Sequence, residues 1–147
     1  MAKKRKKPTN ARKLYLKAER LWKEIAYLRD GRECQVKKHY PHIKASHCEV
    51  LQIDHFITRR DKNLFFDPHN STVVCSSCNR NKKYKQKGVD YAIQEIVLKR
   101  EGQEAFDYMM RLNMTGNPNL HWKKIWWIEY IVETLEKYKE GIIEKRT

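Results

Sequence analysis

The chain has 147 residues, 34% charged and 40% hydrophobic, which suits one domain with a modest core and leaves no room for two. Its net charge of +14 makes a polyphosphate backbone the expected partner. The longest apolar runs, such as Ile125, Trp126, Trp127 and Ile128, are far too short to span a membrane, and the charged start has no apolar region after it, which argues against a secretory signal.

Half of the net charge lies in residues 1–13, in Lys3, Lys4, Arg5, Lys6, Lys7, Arg12 and Lys13, with no acid among them. Such a block repels itself and buries nothing, so it reads as a disordered basic arm. Its plainest role is to solubilise the chain. Its functional role would be non-specific phosphate binding, each neutralised phosphate steepening the salt dependence by roughly 0.9. Residues 11 to about 30 follow as an amphipathic helix, because Leu14, Leu21, Trp22, Ile25 and Leu28 recur mostly at steps of three and four before Asp30 and Gly31 end it. Residues 32–49 read as a polar loop with His39, His42 and His47, Pro41 inside it and a cysteine near each end. The plainer role for these histidines is solvated surface.

Val50, Leu51, Gln52 and Ile53 have the content of a short strand leading into Asp54 and His55. Residues 58–63 are polar and basic, and read as a loop. Phe65 and Phe66 are expected to pack inward, and Asp67 with Pro68 starts a turn into His69 and Asn70. Thr72, Val73 and Val74 make a second strand, antiparallel to the first, and a short helix begins between Cys78 and Lys83. Beyond Gly88 the chain reads helical: Val89, Ala92, Ile93, Ile96 and Val97 form one stripe, and Ala105, Phe106, Met109, Met110 and Leu112 another, closed by residues 115–118. A last helix runs from about 121 to 140. Its Trp126 and Trp127 cannot both face one core, so one is expected to be exposed, where it would stack on unpaired bases. Packing against the helix at residues 11–30 is the plainer role. The class is α+β.

The chemistry concentrates between Asp54 and Lys82. Histidine is the side chain whose unperturbed pKa suits deprotonation of water near neutrality, which makes His55 a candidate general base. A hard divalent ion takes oxygen ligands, and Asp54 offers a carboxylate and Asn79 a carboxamide carbonyl. Neighbouring strand residues point to opposite faces, so Asp54 and His55 share a site only where the strand bends or ends. Read blandly, the pair is incidental and Asn70 a simple turn former. Four cysteines without a secretion signal point to metal rather than disulfides. Cys75-x2-Cys78 is a good zinc knuckle, while Cys34 and Cys48 have 13 residues between them.

The run IDHFITRRDKNLFFDPHNSTVVCSSCNRNKK resembles the HNH, or ββα-metal, nuclease motif, which runs from an Asp-His pair through a central Asn to Cys-x2-Cys-His/Asn-x2-Lys. More narrowly, HF-x-x-RR, the FDP-x-N turn and the C-x2-CN knuckle, with two helices after them, resemble phage NinG-type recombination endonucleases. The broader likeness covers about residues 34–83, and the narrower one extends loosely over 86–135. It implies a zinc-stapled ββα-metal, treble-clef-like core at about 34–86 inside a single domain of 14–147, with a helical extension at 87–143. It also implies His55 as general base, Asp54 and Asn79 as ligands of a catalytic Mg²⁺ or Mn²⁺, and Asn70 as the brace of the loop carrying the base. Asn79 stands where the wider family often has His.

Family members often carry two Cys-x2-Cys knuckles around a structural zinc. By that likeness Cys34, Cys48, Cys75 and Cys78 are the expected ligands; the alternative leaves Cys34 a free thiol, with His47 or His42 completing the site. Arg59, Arg60 and Lys62 follow the base, and Arg80, Lys82, Lys83, Lys85 and Lys87 follow the knuckle. They read as a solvated face or, flanking the proposed centre, as DNA phosphate contacts, Arg60 being the best clamp for the scissile phosphate. His69 is a further phosphate contact, and His121 a helix-start residue. The implied activity is hydrolysis of DNA phosphodiester bonds in phage recombination, on branched or partly single-stranded DNA, in the cytoplasm of a bacterial host. A homodimer or phage recombination proteins are the expected partners, and two-fold pairing would suit double-strand cutting. Two other readings stand beside it: a non-catalytic zinc module that binds nucleic acid by charge, and a restriction or homing-type HNH nuclease.

Overall fold

A helix needs partners for its first N–H groups and a stop for its last turn, and the first helix, α1 (Asn10–Asp30), has both. The Thr9 side chain accepts from the Arg12 N–H at 3.2 Å, and Gly31 closes the far end at φ 76°, donating to the Tyr27 carbonyl at 2.8 Å. The computed structural model describes residues 9–57, 62–115 and 121–146. Residues 1–8 of the expected arm lie outside that range, whereas Arg12 and Lys13 belong to α1. The Thr9 cap starts the helix earlier than the basic composition suggests.

The remaining elements are α2 (Gln35–His39), β1 (Leu51–His55), β2 (Ser71–Cys75), α3 (Ser76–Lys83), α4 (Val89–Glu101), α5 (Gln103–Thr115) and α6 (Ile125–Arg146). The class is α+β, with one two-stranded sheet among the described residues. Its strands are antiparallel, in a register that sets Asp54 opposite Thr72 and His55 opposite Ser71. α2 is a short helix inside the stretch expected to be loop. α6 starts at Ile125 rather than near 121, because residues 121–123 form a turn, closed by Lys124 N–H on the His121 carbonyl, and Trp122 packs back onto Tyr15 and Phe66.

The buried apolar side chains fall into two clusters. One gathers Ala18, Leu21, Trp22 and Ile25 of α1 with Ile128, Val132 and Leu135 of α6, and Phe66 joins it. The other gathers Val74, Cys75 and Cys78 with Val36, Ile57, Leu64 and the buried faces of α4 and α5. Each large apolar side chain buried in this way stabilises the fold by about 1.5–3 kcal/mol. Trp127 packs with the first core while Trp126 stays 55% exposed, as expected of a pair that cannot share one face.

Among the described residues no third strand pairs with the outer edge of β2. The side chains of Arg29 and Asp30 satisfy it instead: Ser71 C=O accepts from Arg29 at 2.6 Å, and Val73 N–H donates to Asp30 at 3.0 Å. α1 is thereby fixed to the sheet at its C-terminal end, which sets the position of Trp22 two turns earlier. None of the described helices is long and apolar enough to cross a membrane.

Candidate functional site

Cys75 ends β2 and caps α3, Cys78 lies in the first turn of α3, and Cys34 precedes α2. Their sulfurs meet one imidazole nitrogen, Nδ1 of His47, at 3.9 Å from Cys34, 3.6 Å from Cys75 and 3.2 Å from Cys78. The Cys34 and Cys78 sulfurs are 3.7 Å apart, and all four donor atoms lie within 4.8 Å of one another. A tetrahedron of Zn–S bonds near 2.3 Å has sulfurs about 3.8 Å apart. Cys34, His47, Cys75 and Cys78 thus form a group that could hold a metal ion, with donors and spacing consistent with a structural zinc. Hydrogen bonding from Cys78 brings the Cys34 thiol down to about 4 and pushes Cys78 itself up. A divalent ion takes thiolates, so its binding would displace the protons these thiols carry.

Cys48, expected as the fourth ligand, is outside this group. Its sulfur lies 2.9 Å from the Ser76 hydroxyl and 3.8 Å from the Val50 carbonyl. Ser46 sits in the left-handed region at φ 50°, and beyond that turn His47 faces the sulfurs while Cys48 faces away. Hydrogen bonds from Ser76 and Ser77 bring the Cys48 thiol down to about 6. His42 remains exposed, and His39 bonds the Gln35 side chain.

His55 is the last residue of β1 and is 9% exposed. Its ring stacks on Trp22, with centroids 4.1 Å apart and planes 16° apart, and lies 4.9 Å from the Phe65 ring. Nε2 is 3.0 Å from the Phe65 carbonyl. A carbonyl only accepts, so Nε2 carries the proton and the neutral ring has its lone pair on Nδ1. Trp22 is itself held by its indole N–H on the Asp67 carbonyl at 2.9 Å. The sequence marks Trp22 and Phe65 only as apolar residues, so their contact with His55 has no local signal.

Asn70 is fully buried. Its Oδ1 accepts from Ile57 N–H at 2.6 Å, and its Nδ2 donates to the Ile57 and Leu64 carbonyls, each at 3.0 Å. The side chain therefore clamps both ends of the loop that leaves His55. Asn70→Ala would leave the buried Ile57 N–H and C=O unpaired, at about 1–3 kcal/mol each before relaxation, while the Leu64 carbonyl keeps its bond from Asp67 N–H. The expected loss is about 3 kcal/mol, read as a lower urea midpoint at unchanged slope.

Asp54 and Asn79 do not share a partner. Asp54 is 4% exposed and pairs with Lys82, whose Nζ lies 2.8 and 2.9 Å from the two carboxylate oxygens. Burial pushes the Asp54 carboxyl up, and the Lys82 charge opposes that rise. Asn79 donates to the Gln52 side chain at 2.7 Å. Gln52 and Asp54 lie on one face of β1 and Asn79 and Lys82 on one face of α3, so the two cross-links run side by side. Lys82, expected at a DNA phosphate, is the half-buried partner of a buried carboxylate.

The other expected phosphate contacts differ among themselves. Lys62 sits over the rings of Phe65 and Trp122, at 4.7 and 4.5 Å, beside His55. Arg80 and Lys83 are exposed and, with Gln52, Ser76, Asn79 and Tyr84, line a shallow pocket of about 320 Å³. Arg59 and Arg60 lie outside the described residues. His69 bonds Glu101, which holds its pKa above the usual value. His121 lies against the Trp126 ring. No family model, curated protein or solved structure matches the chain.

Proposed function

We propose that the chain is an HNH, ββα-metal endonuclease that hydrolyses DNA phosphodiester bonds. The observation that carries this reading is the setting of His55, whose ring stacks on Trp22 and lies against Phe65 and whose Nε2–H is held by the Phe65 carbonyl. A base must present one lone pair in a fixed direction, and this setting gives that pair to Nδ1. His55 takes the proton from water. The Phe65 carbonyl then faces the N–H of the charged ring and stabilises it, while Asn70 keeps the loop and its carbonyls in place. A Mg²⁺ or Mn²⁺ ion held by Asp54 and Asn79 would neutralise charge on the scissile phosphate and the leaving oxygen. The donor chemistry suits such an ion, since Lys82 shows that the Asp54 oxygens take a cation. Arg80, Lys83 and Lys62 supply positive charge around the centre for the DNA backbone.

By its resemblance to NinG-type endonucleases the substrate is branched or partly single-stranded DNA in phage recombination. A specific observation favours a second reading: Asp54 and Asn79 are each engaged within the protein, as in a zinc module that binds nucleic acid by charge alone. Incubating the purified chain with four-way junctions, single strands and random-sequence duplex in Mg²⁺ or Mn²⁺ separates the readings. The endonuclease reading expects cuts that map to junctions. The second expects bound, intact DNA, and cuts at one recurring base sequence would point to a restriction or homing role.

A further inference from the structure

Lys82 Nζ contacts four oxygens: both carboxylate oxygens of Asp54 at 2.8 and 2.9 Å, the His55 carbonyl at 2.6 Å and the Phe56 carbonyl at 3.3 Å. An ammonium has three N–H groups, so four acceptors exceed what it can satisfy at once. The cage is wholly oxygen, the donor type that hard divalent cations take. Asp54 belongs to it and is almost fully buried, whereas the Lys82 side chain is 19% exposed and so has a way out to solvent.

Building on the proposed catalytic metal, we infer that Lys82 is an internal competitor for it: the ammonium and a divalent ion use the same Asp54 oxygens in turn. A divalent ion binds oxygen at about 2.0–2.6 Å, so it and an ammonium on one carboxylate repel each other at close range in a poorly screened place. Each therefore excludes the other. The resting protein holds Asp54 neutralised and the backbone of His55 tied to α3. The divalent ion binds as Lys82 withdraws along its flexible four-carbon stem. Metal affinity is set as much by this lysine as by the ligands, which spacing in the sequence does not reveal.

The test is Mn²⁺ binding to the zinc-loaded full chain, followed by the electron paramagnetic resonance of free Mn²⁺, and it needs no cleavage. Lys82→Met is expected to bind Mn²⁺ at least about tenfold more tightly than wild type, the size of a modest charge repulsion. Lys82→Arg, which keeps the charge, is expected to stay weak, and Asp54→Asn to lose binding. Lys82→Met binding no tighter than wild type while Asp54→Asn still loses the ion would overturn the competition and leave the metal site standing. Unchanged binding in Asp54→Asn would overturn the metal reading itself. A second measurement uses wild-type protein alone, so it does not depend on a variant folding. Amine acylation read by mass spectrometry should find Lys82 protected without metal and reactive at saturating Mg²⁺. Protection that persists at saturating Mg²⁺ contradicts the inference.

Discussion

Replacing His47 with Ala, or stripping the metal with a chelator, unfolds the half of the protein built on the corner between β2 and α3, whereas Cys48→Ala leaves the zinc in place. Cys34, Cys75 and Cys78 are buried in the same core as Val36, Val74, Val89 and Ile93, so their loss opens that core rather than a surface loop. Three sulfurs and a nitrogen crowded together without an ion have only weak hydrogen bonds to one another and gain little. In small zinc domains the ion contributes about 10–16 kcal/mol of apparent folding free energy, more than most domains have in total. Zinc content and far-ultraviolet circular dichroism, measured on both variants with and without chelator, check this. Because thiolates and a neutral imidazole are the ligands, zinc is also expected to leave as the pH falls. Loss of zinc in Cys48→Ala with retention in His47→Ala would reverse the ligand assignment.

The second large effect is on rate. His55→Ala is expected to lower DNA cleavage by roughly 10²–10⁴-fold, the usual range for removing a positioned base. DNA affinity should survive, because Arg80, Lys83 and Lys62 are untouched. The substitution also removes the ring that stacks on Trp22 and lies against Phe65, so a melting curve has to accompany it. A variant that stays folded, binds DNA and does not cut isolates the chemical step. Full activity in such a variant would assign the base elsewhere.

Much of the fold was legible because its signals are local. The stripe through Leu21, Trp22 and Ile25 is a periodicity, and the turn at Asp67 and Pro68 is side-chain chemistry, so α1 and the start of β2 follow from short windows of sequence. The Cys75-x2-Cys78 half of the metal group was legible for the same reason. Of the other half, Cys34 was expected and belongs to the group, whereas the choice between His47 and Cys48 was not legible. His47 and Cys48 are adjacent and both are of residue types that ligate metals, and the backbone turn at Ser46 puts the histidine among the sulfurs. Lys82 shows a different limit: a cation three residues after Asn79 suits a phosphate or a carboxylate equally well, and only the packing of α3 on β1 brings it to Asp54. Trp22 reaches His55 from 33 positions away along the chain, a contact that no window of sequence contains.

The central claim is that this chain hydrolyses phosphodiester bonds with His55 as the base. Its most direct test is plasmid nicking by zinc-loaded wild type and His55→Ala side by side, in Mg²⁺, Mn²⁺ and EDTA, with DNA binding measured on the same samples. The account predicts nicked plasmid for wild type in Mg²⁺ or Mn²⁺, none in EDTA, and bound but intact plasmid for His55→Ala. Intact plasmid with wild type in every metal, or equal nicking by both proteins, would contradict it.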